Sequence, residues 1–193
     1  MLLALTGWLA SCSHVATEEQ VRSAELPPEG VPPQRVVIGV EQQKMVIFDW
    51  KKPKKMYPVS TSKFGLGNQP GSWKTPVGQM EVVKVIGKGL VPGSRLKARQ
   101  PTGEVVPVNA PGRDAIVTRV LILKGAEKGN ANTRQRFIYI HGTPAEDKLE
   151  SPASWGCIRM ASTDIIELCE WLRPGARVDV VPGRLPPPDD LPN

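Results

Sequence analysis

What most restricts the fold of this chain is how often its backbone is interrupted. Twenty prolines and eighteen glycines are spread through 193 residues, and the stretches between them are short and rich in β-branched side chains. Proline removes a backbone donor and glycine weakens a helix, so few uninterrupted runs of helical length remain. Short strands joined by turns are favoured over a helical bundle, and we expect a mainly β, sandwich-like domain.

The strands can be placed from their apolar patterns. Arg35 to Val40 and Met45 to Trp50 read as a hairpin across Glu41-Gln42-Gln43-Lys44. Lys51-Lys52-Pro53-Lys54-Lys55 reads as a solvated turn that breaks the strand, which resumes over Met56 to Ser60. From Gln79 to Ile86, Met80, Val82 and Lys84 alternate with Glu81, Val83 and Val85. Prolines and glycines recur between Lys88 and Asp114, which suggests loops over the sheet and a cleft wall. Ala115 to Lys124, Phe137 to Ile140 and Arg177 to Val181 complete the set. One helix is expected: Ser162 is a natural N-cap, Thr163-Asp164 bring acidity to the first turn, and Ile165, Leu168, Cys169 and Leu172 share a face. Arg173-Pro174-Gly175 ends it.

The length suits one domain of about 150 residues plus tails. We expect residues 34–183 to form it, with 13–33 as an acidic, then proline-rich linker and 184–193 as a polar tail. The net charge of +6 is uneven: the first 33 residues carry −3 and the last ten −1, so the middle carries +10. A basic domain suits nucleic acid, an anionic membrane surface or an acidic polymer. No nucleic-acid motif is present, and ten aromatic residues offer little for base stacking, so nucleic acid is not an expected partner. The glycine-rich run Gly65 to Ser72 lacks the Gly-Lys-Ser/Thr ending of a phosphate-binding loop. With two histidines, three scattered cysteines and no metal-binding spacing, neither a metal nor another cofactor is implied.

The chemistry concentrates between His141 and Met160. His14 falls in the linker, so His141 is the histidine available to the domain, and Cys157 follows it by sixteen positions. Each alone reads as ordinary core packing. Together they read as a thiol nucleophile and the base that activates it. Gly156 permits an unusual backbone angle that turns neighbouring amides toward an oxyanion, and Ser154 and Arg159 are polar in an otherwise apolar segment. A disulfide from Cys157 to Cys169 would block the nucleophile and is not expected.

These residues resemble the signature of the L,D-transpeptidase catalytic domain, or YkuD, family. The matching positions are His141-Gly142 and Ser154-Trp155-Gly156-Cys157-Ile158-Arg159-Met160. Trp155 stands where many members carry a second histidine, and we expect it to shape the substrate pocket. Pro58-Val59-Ser60-Thr61-Ser62 and Lys74-Thr75-Pro76-Val77-Gly78 are similar to a family strand and turn, so the likeness spans most of residues 34–182. The chain order agrees: papain-like peptidases place the cysteine first, and sortases have a much longer gap.

The resemblance implies attack by Cys157 on the third residue of a peptidoglycan tetrapeptide stem, with His141 moving protons. Amides at Gly156 and Cys157 would serve the oxyanion, Ser154 or Gly142 would orient the imidazole, and Arg159 would hold the loop or a substrate carboxylate. With water as acceptor the same site is an L,D-carboxypeptidase; a non-catalytic peptidoglycan-binding envelope lipoprotein would need neither His141 nor Cys157. Met1 to Ala10 is apolar but too short to span a membrane, and Leu9-Ala10-Ser11-Cys12 resembles a bacterial lipobox without the usual basic start. The expectation is a periplasmic, cell-envelope protein anchored to the membrane by lipid on Cys12.

Overall fold

The computed structural model of the chain describes residues 34–49, 52–112 and 114–187. The expected leader, Cys12 and the linker lie outside the described residues. The strands are β1 (Arg35–Gly39), β2 (Lys44–Asp49), β3 (Lys52–Pro58), β4 (Gly78–Ile86), β5 (Ser94–Lys97), β6 (Gln100–Val105), β7 (Val117–Gly125), β8 (Tyr139–Gly142), β9 (Ile158–Met160) and β10 (Arg177–Val181). Among the described residues one α-helix, α1 (Ser162–Trp171), follows β9. The mainly β expectation with a helix after Cys157 holds.

The strands form one mixed sheet in the order β3-β2-β1-β10-β4-β7-β5-β6, from which β8 branches at β7 and β9 pairs with β8. The β1/β10 and β8/β9 pairs are parallel. Strand β7 is buried on both sides. Leu121 and Leu123 enter the main core, while Val120 and Ile122 join Leu96 and Tyr139 on the opposite face, where Cys157 packs. A strand covered on both faces reads as a continuous apolar run, as Val-Leu-Ile-Leu does here. Ile140, Ile158, Met160 and, from α1, Ile165 and Leu168 are fully buried in the main core. Each such side chain contributes about 2 kcal/mol, so the strands that carry the site are firmly seated.

Five local expectations need correction. Lys52 to Lys55 of the lysine cluster are not a turn: they lie in β3, an edge strand whose first five side chains are exposed, and an edge tolerates both Pro53 and charge. Register shifts within β4 between Val82 and Lys84, which ends the simple alternation beyond that point. The stretch read as loops contains the β5–β6 hairpin. The strand expected over Phe137 to Ile140 is shifted: Phe137 has φ +56° and precedes it, and β8 runs Tyr139–Gly142, so it includes His141. Ser162 is the first residue of α1 and not its cap. Its amide instead donates to the Glu146 carboxylate at 3.0 Å, which also favours the positive end of the helix dipole.

Candidate active site

Gly156 makes the turn that presents Cys157. Its φ is +117°, and an added Cβ would lie 3.1 Å from Ile138 Cδ1, so a side chain there is strained. Ser154 Oγ donates to the Cys157 carbonyl at 2.5 Å and accepts from the Gly156 amide at 3.2 Å. Thr75 Oγ1 donates to the Gly156 carbonyl at 3.0 Å and accepts from the Ser62 amide at 2.9 Å. The threonine of the Thr-Pro-Val-Gly turn thus fastens the cysteine loop, and Ser154 staples that loop and does not orient the imidazole.

Strand alternation sets which side chains meet. Ile140, Ile158 and Met160 face the main core, so Tyr139, His141, Cys157 and Arg159 face the other way. The parallel register pairs His141 with Arg159, which makes Cys157 a diagonal neighbour of His141 at roughly 8 Å between Cα atoms by strand spacing. An added Cβ on Gly142 would come within 2.6 Å of the Val117 carbonyl oxygen. A side chain there would push β8 away from β7.

His141 Nδ1 lies 2.9 Å from the Gly142 carbonyl oxygen. A carbonyl only accepts, so Nδ1 carries the proton and Nε2 keeps its lone pair. Burial pushes the His141 pKa down, opposed by that hydrogen bond and by Asp114. Burial pushes the Cys157 thiol up to about 11, opposed by the Tyr139 amide, Arg159 and Arg136. The thiol donates to the Phe137 carbonyl at 3.4 Å. Burial therefore favours the neutral form of both the thiol and the imidazole at neutral pH.

Arg159 is buried, with its two outer nitrogens partnered and Nε without a partner among the described residues. Nη1 pairs with the Asp114 carboxylate, and Nη2 donates to Ser60 Oγ at 3.0 Å. Asp114 also accepts from Thr143 Oγ1 at 2.5 Å. Arg159 holds the loops around His141, and its two outer nitrogens are not free for a substrate carboxylate.

Two charged residues near the thiol were not singled out from the sequence. Asp114 emerges from a Pro/Gly-rich stretch with no local pattern to mark it. Arg136 donates to the carbonyls of Gly67 at 3.0 Å and Lys74 at 2.7 Å, tying the glycine-rich loop to the approach of β8. Its contacts are more than sixty residues away in sequence, so no nearby pattern marks it either. The expected pocket residue Trp155 is exposed at the rim, edge-on to Phe64 and Trp73.

A mixed β sheet that sets a buried imidazole beside a thiol at a glycine turn has the parts for acyl transfer through sulfur. The model of the YkuD family, the L,D-transpeptidase catalytic domain, matches residues 33–180. The chain belongs to this family. No curated protein matches it in sequence. Among solved structures it is similar to an L,D-transpeptidase from Mycobacterium smegmatis, with TM-score 0.52, 14% identity and coverage of 77% of this chain and 58% of that one. The Bdellovibrio bacteriovorus protein Bd1075 gives TM-score 0.53 and 14% identity, covering 81% and 50%. An L,D-transpeptidase from Xylanimonas cellulosilytica gives 0.50 and 17%, covering 83% and 67%. At these identities the likeness is one of fold, and this chain spans little more than half the length of the first of them.

Proposed function

We propose that this domain is a cysteine-dependent L,D-transpeptidase acting on peptidoglycan tetrapeptide stems. The observation that carries the proposal is the diagonal placement of His141 on β8 and Cys157 immediately before β9, with Nδ1 tied to the Gly142 carbonyl so that Nε2 keeps its lone pair. Nε2 takes the thiol proton as sulfur attacks the carbonyl of the third stem residue. The Cys157 amide, which has no acceptor among the described residues, donates to the oxyanion. The Gly156 amide is shared with Ser154 Oγ. Collapse breaks the amide bond, the imidazolium protonates the departing D-alanine, and a thioester remains on Cys157. An amine from a second stem then attacks the thioester, gives its proton to His141, and the thiol is restored. We further propose that the domain works in the cell envelope, held there by lipid on Cys12.

The test is mass spectrometry of products from a disaccharide-tetrapeptide. Loss of D-alanine with a dimeric product is expected, and no turnover by Cys157→Ala. D-alanine loss without dimer would make the enzyme an L,D-carboxypeptidase. Binding without turnover by the wild type, or equal turnover by Cys157→Ala, would overturn the cysteine mechanism.

A further inference from the structure

The rim of the site holds a positive charge that the mechanism above leaves unused. The Lys63 amide donates to the Ser154 carbonyl at 3.1 Å, which fixes Lys63 beside the cysteine loop. Its Nζ lies 4.4 Å from the Trp155 ring centroid and 5.2 Å from that of Phe64. An exposed lysine ordinarily samples many rotamers, and ordering it costs entropy; here two aromatic faces hold the ammonium. Among the described residues no carboxylate pairs with it.

The rings around this charge are open. Trp155 is 58% exposed, Trp73 56% and Phe64 41%, and Trp155 meets the other two edge-on at 5.6 and 5.2 Å. Large exposed aromatics grouped this way mark a binding surface. Trp155 is two residues from Cys157, and the Trp73 carbonyl lies 3.4 Å from where a Gly156 Cβ would be. The patch therefore borders the acyl-transfer centre.

We propose that Lys63, with Trp155, Trp73 and Phe64, forms a subsite for a free carboxylate on an aliphatic arm of the stem peptide. The carboxylate sits on Nζ and the methylenes lie along the indole of Trp155. This rests on the peptide-acylating function proposed above. It differs from it in assigning a selectivity to Lys63. Apolar rings beside the ammonium keep water from part of the ion pair, so the preference is larger than at a bare surface lysine.

Calorimetric titration of the Cys157→Ala protein with two tetrapeptides, one with a free side-chain carboxylate and one with the carboxamide, tests the subsite. The acid is expected to bind about fivefold tighter. Lys63→Met is expected to reduce the acid to the affinity of the amide, Lys63→Arg to keep the preference, and Trp155→Ala to weaken both peptides. Equal affinities with Lys63 intact, or a preference that survives Lys63→Met, would overturn the subsite. Wild-type turnover is measured alongside. Turnover without preference overturns the subsite and leaves the function standing. Preference without turnover does the reverse, and absence of binding together with absence of turnover overturns both. Binding to anionic phosphatidylglycerol vesicles that is lost in Trp155→Ala, with no peptide preference, would assign the patch to a membrane surface instead.

Discussion

The two cysteines of the domain differ less in themselves than in their neighbours. Cys157 and Cys169 are both reduced and half-buried. Burial pushes the first thiol up to about 11 and the second up to about 12. Cys169 rides on α1 against the main core and opens onto a groove of about 720 Å³ lined by Lys88, Arg119 and Arg173. That groove supplies positive charge and no imidazole. Cys157 follows a left-handed glycine and shares a strand face with His141. Burial raises both thiols; what separates them is that the sheet register places His141, the base of the proposed mechanism, diagonal to Cys157.

The widest separation should come from removing each sulfur. Cys157→Ala is expected to lower kcat by at least about 10⁴-fold. Cys169→Ala should leave kcat within about twofold and cost about 1 kcal/mol of stability, the worth of one small buried group. Steady-state kinetics and urea unfolding check the pair, and a tenfold loss of kcat in Cys169→Ala would break the contrast.

Removing the base should make Cys157 resemble Cys169. His141→Gln is expected to lower kcat by about 10²- to 10⁴-fold. In the wild type, burial holds the His141 pKa below 6.5, so the imidazole stays neutral across the neutral range. The rate should fall on an acid limb centred below 6.5 and hold through mildly alkaline pH. The same shift makes His141 contribute stability above 6.5 that is lost as pH falls through its lowered pKa. Without the imidazole, iodoacetamide alkylation of Cys157 should rise only as pH approaches 11. Wild-type alkylation rates at neutral pH in His141→Gln would mean that something other than His141 accepts the proton.

Much of this arrangement was legible because it is encoded locally. Proline and glycine punctuation bounded most of the strands, and the sixteen residues from His141 to Cys157 are spanned by one parallel β8/β9 pairing. What escaped was encoded by contacts distant in sequence. Strand β6 is Gln-Pro-Thr-Gly-Glu-Val and exposed throughout, so it has no apolar face to announce a strand. Helix α1 is served at its start by Glu146, sixteen residues upstream, so the Ser162 signal misled. Arg136 and Lys63 take their meaning from loops that only the folded sheet brings to the thiol.

Arg159→Met tests whether the surroundings of Cys157 are structural or electrostatic. Losing one member of a buried pair costs about 3–5 kcal/mol. The Asp114 side chain is 29% exposed, and solvent screening places the expected loss near or below the low end, about 2–3 kcal/mol. Urea unfolding should show this destabilisation. Protein that remains folded should keep most of its kcat, because Arg159 points its outer nitrogens at Asp114 and Ser60 and not at the sulfur. A loss of kcat as large as that of His141→Gln, in protein shown to be folded, would move Arg159 from holding the loops to stabilising the reacting charge.

The smallest effect should come from Trp155→His, which introduces the histidine that the family resemblance leads one to expect at this position. The indole touches Lys63, Phe64 and Trp73, and none of these is hydrogen-bonded to Cys157 or His141. Two edge-on ring contacts would be weakened, each worth about 0.5–1.5 kcal/mol. Because Trp155 is largely exposed, most of that loss falls on the shape of the rim and little on the fold. KM should rise about threefold with kcat unchanged, since the groups that move protons are held by β8 and by the Ser154 staple. A tenfold drop in kcat at constant KM would show instead that the rim sets the attack geometry of the thiol, and the division between a fixed centre and an adaptable edge would fail.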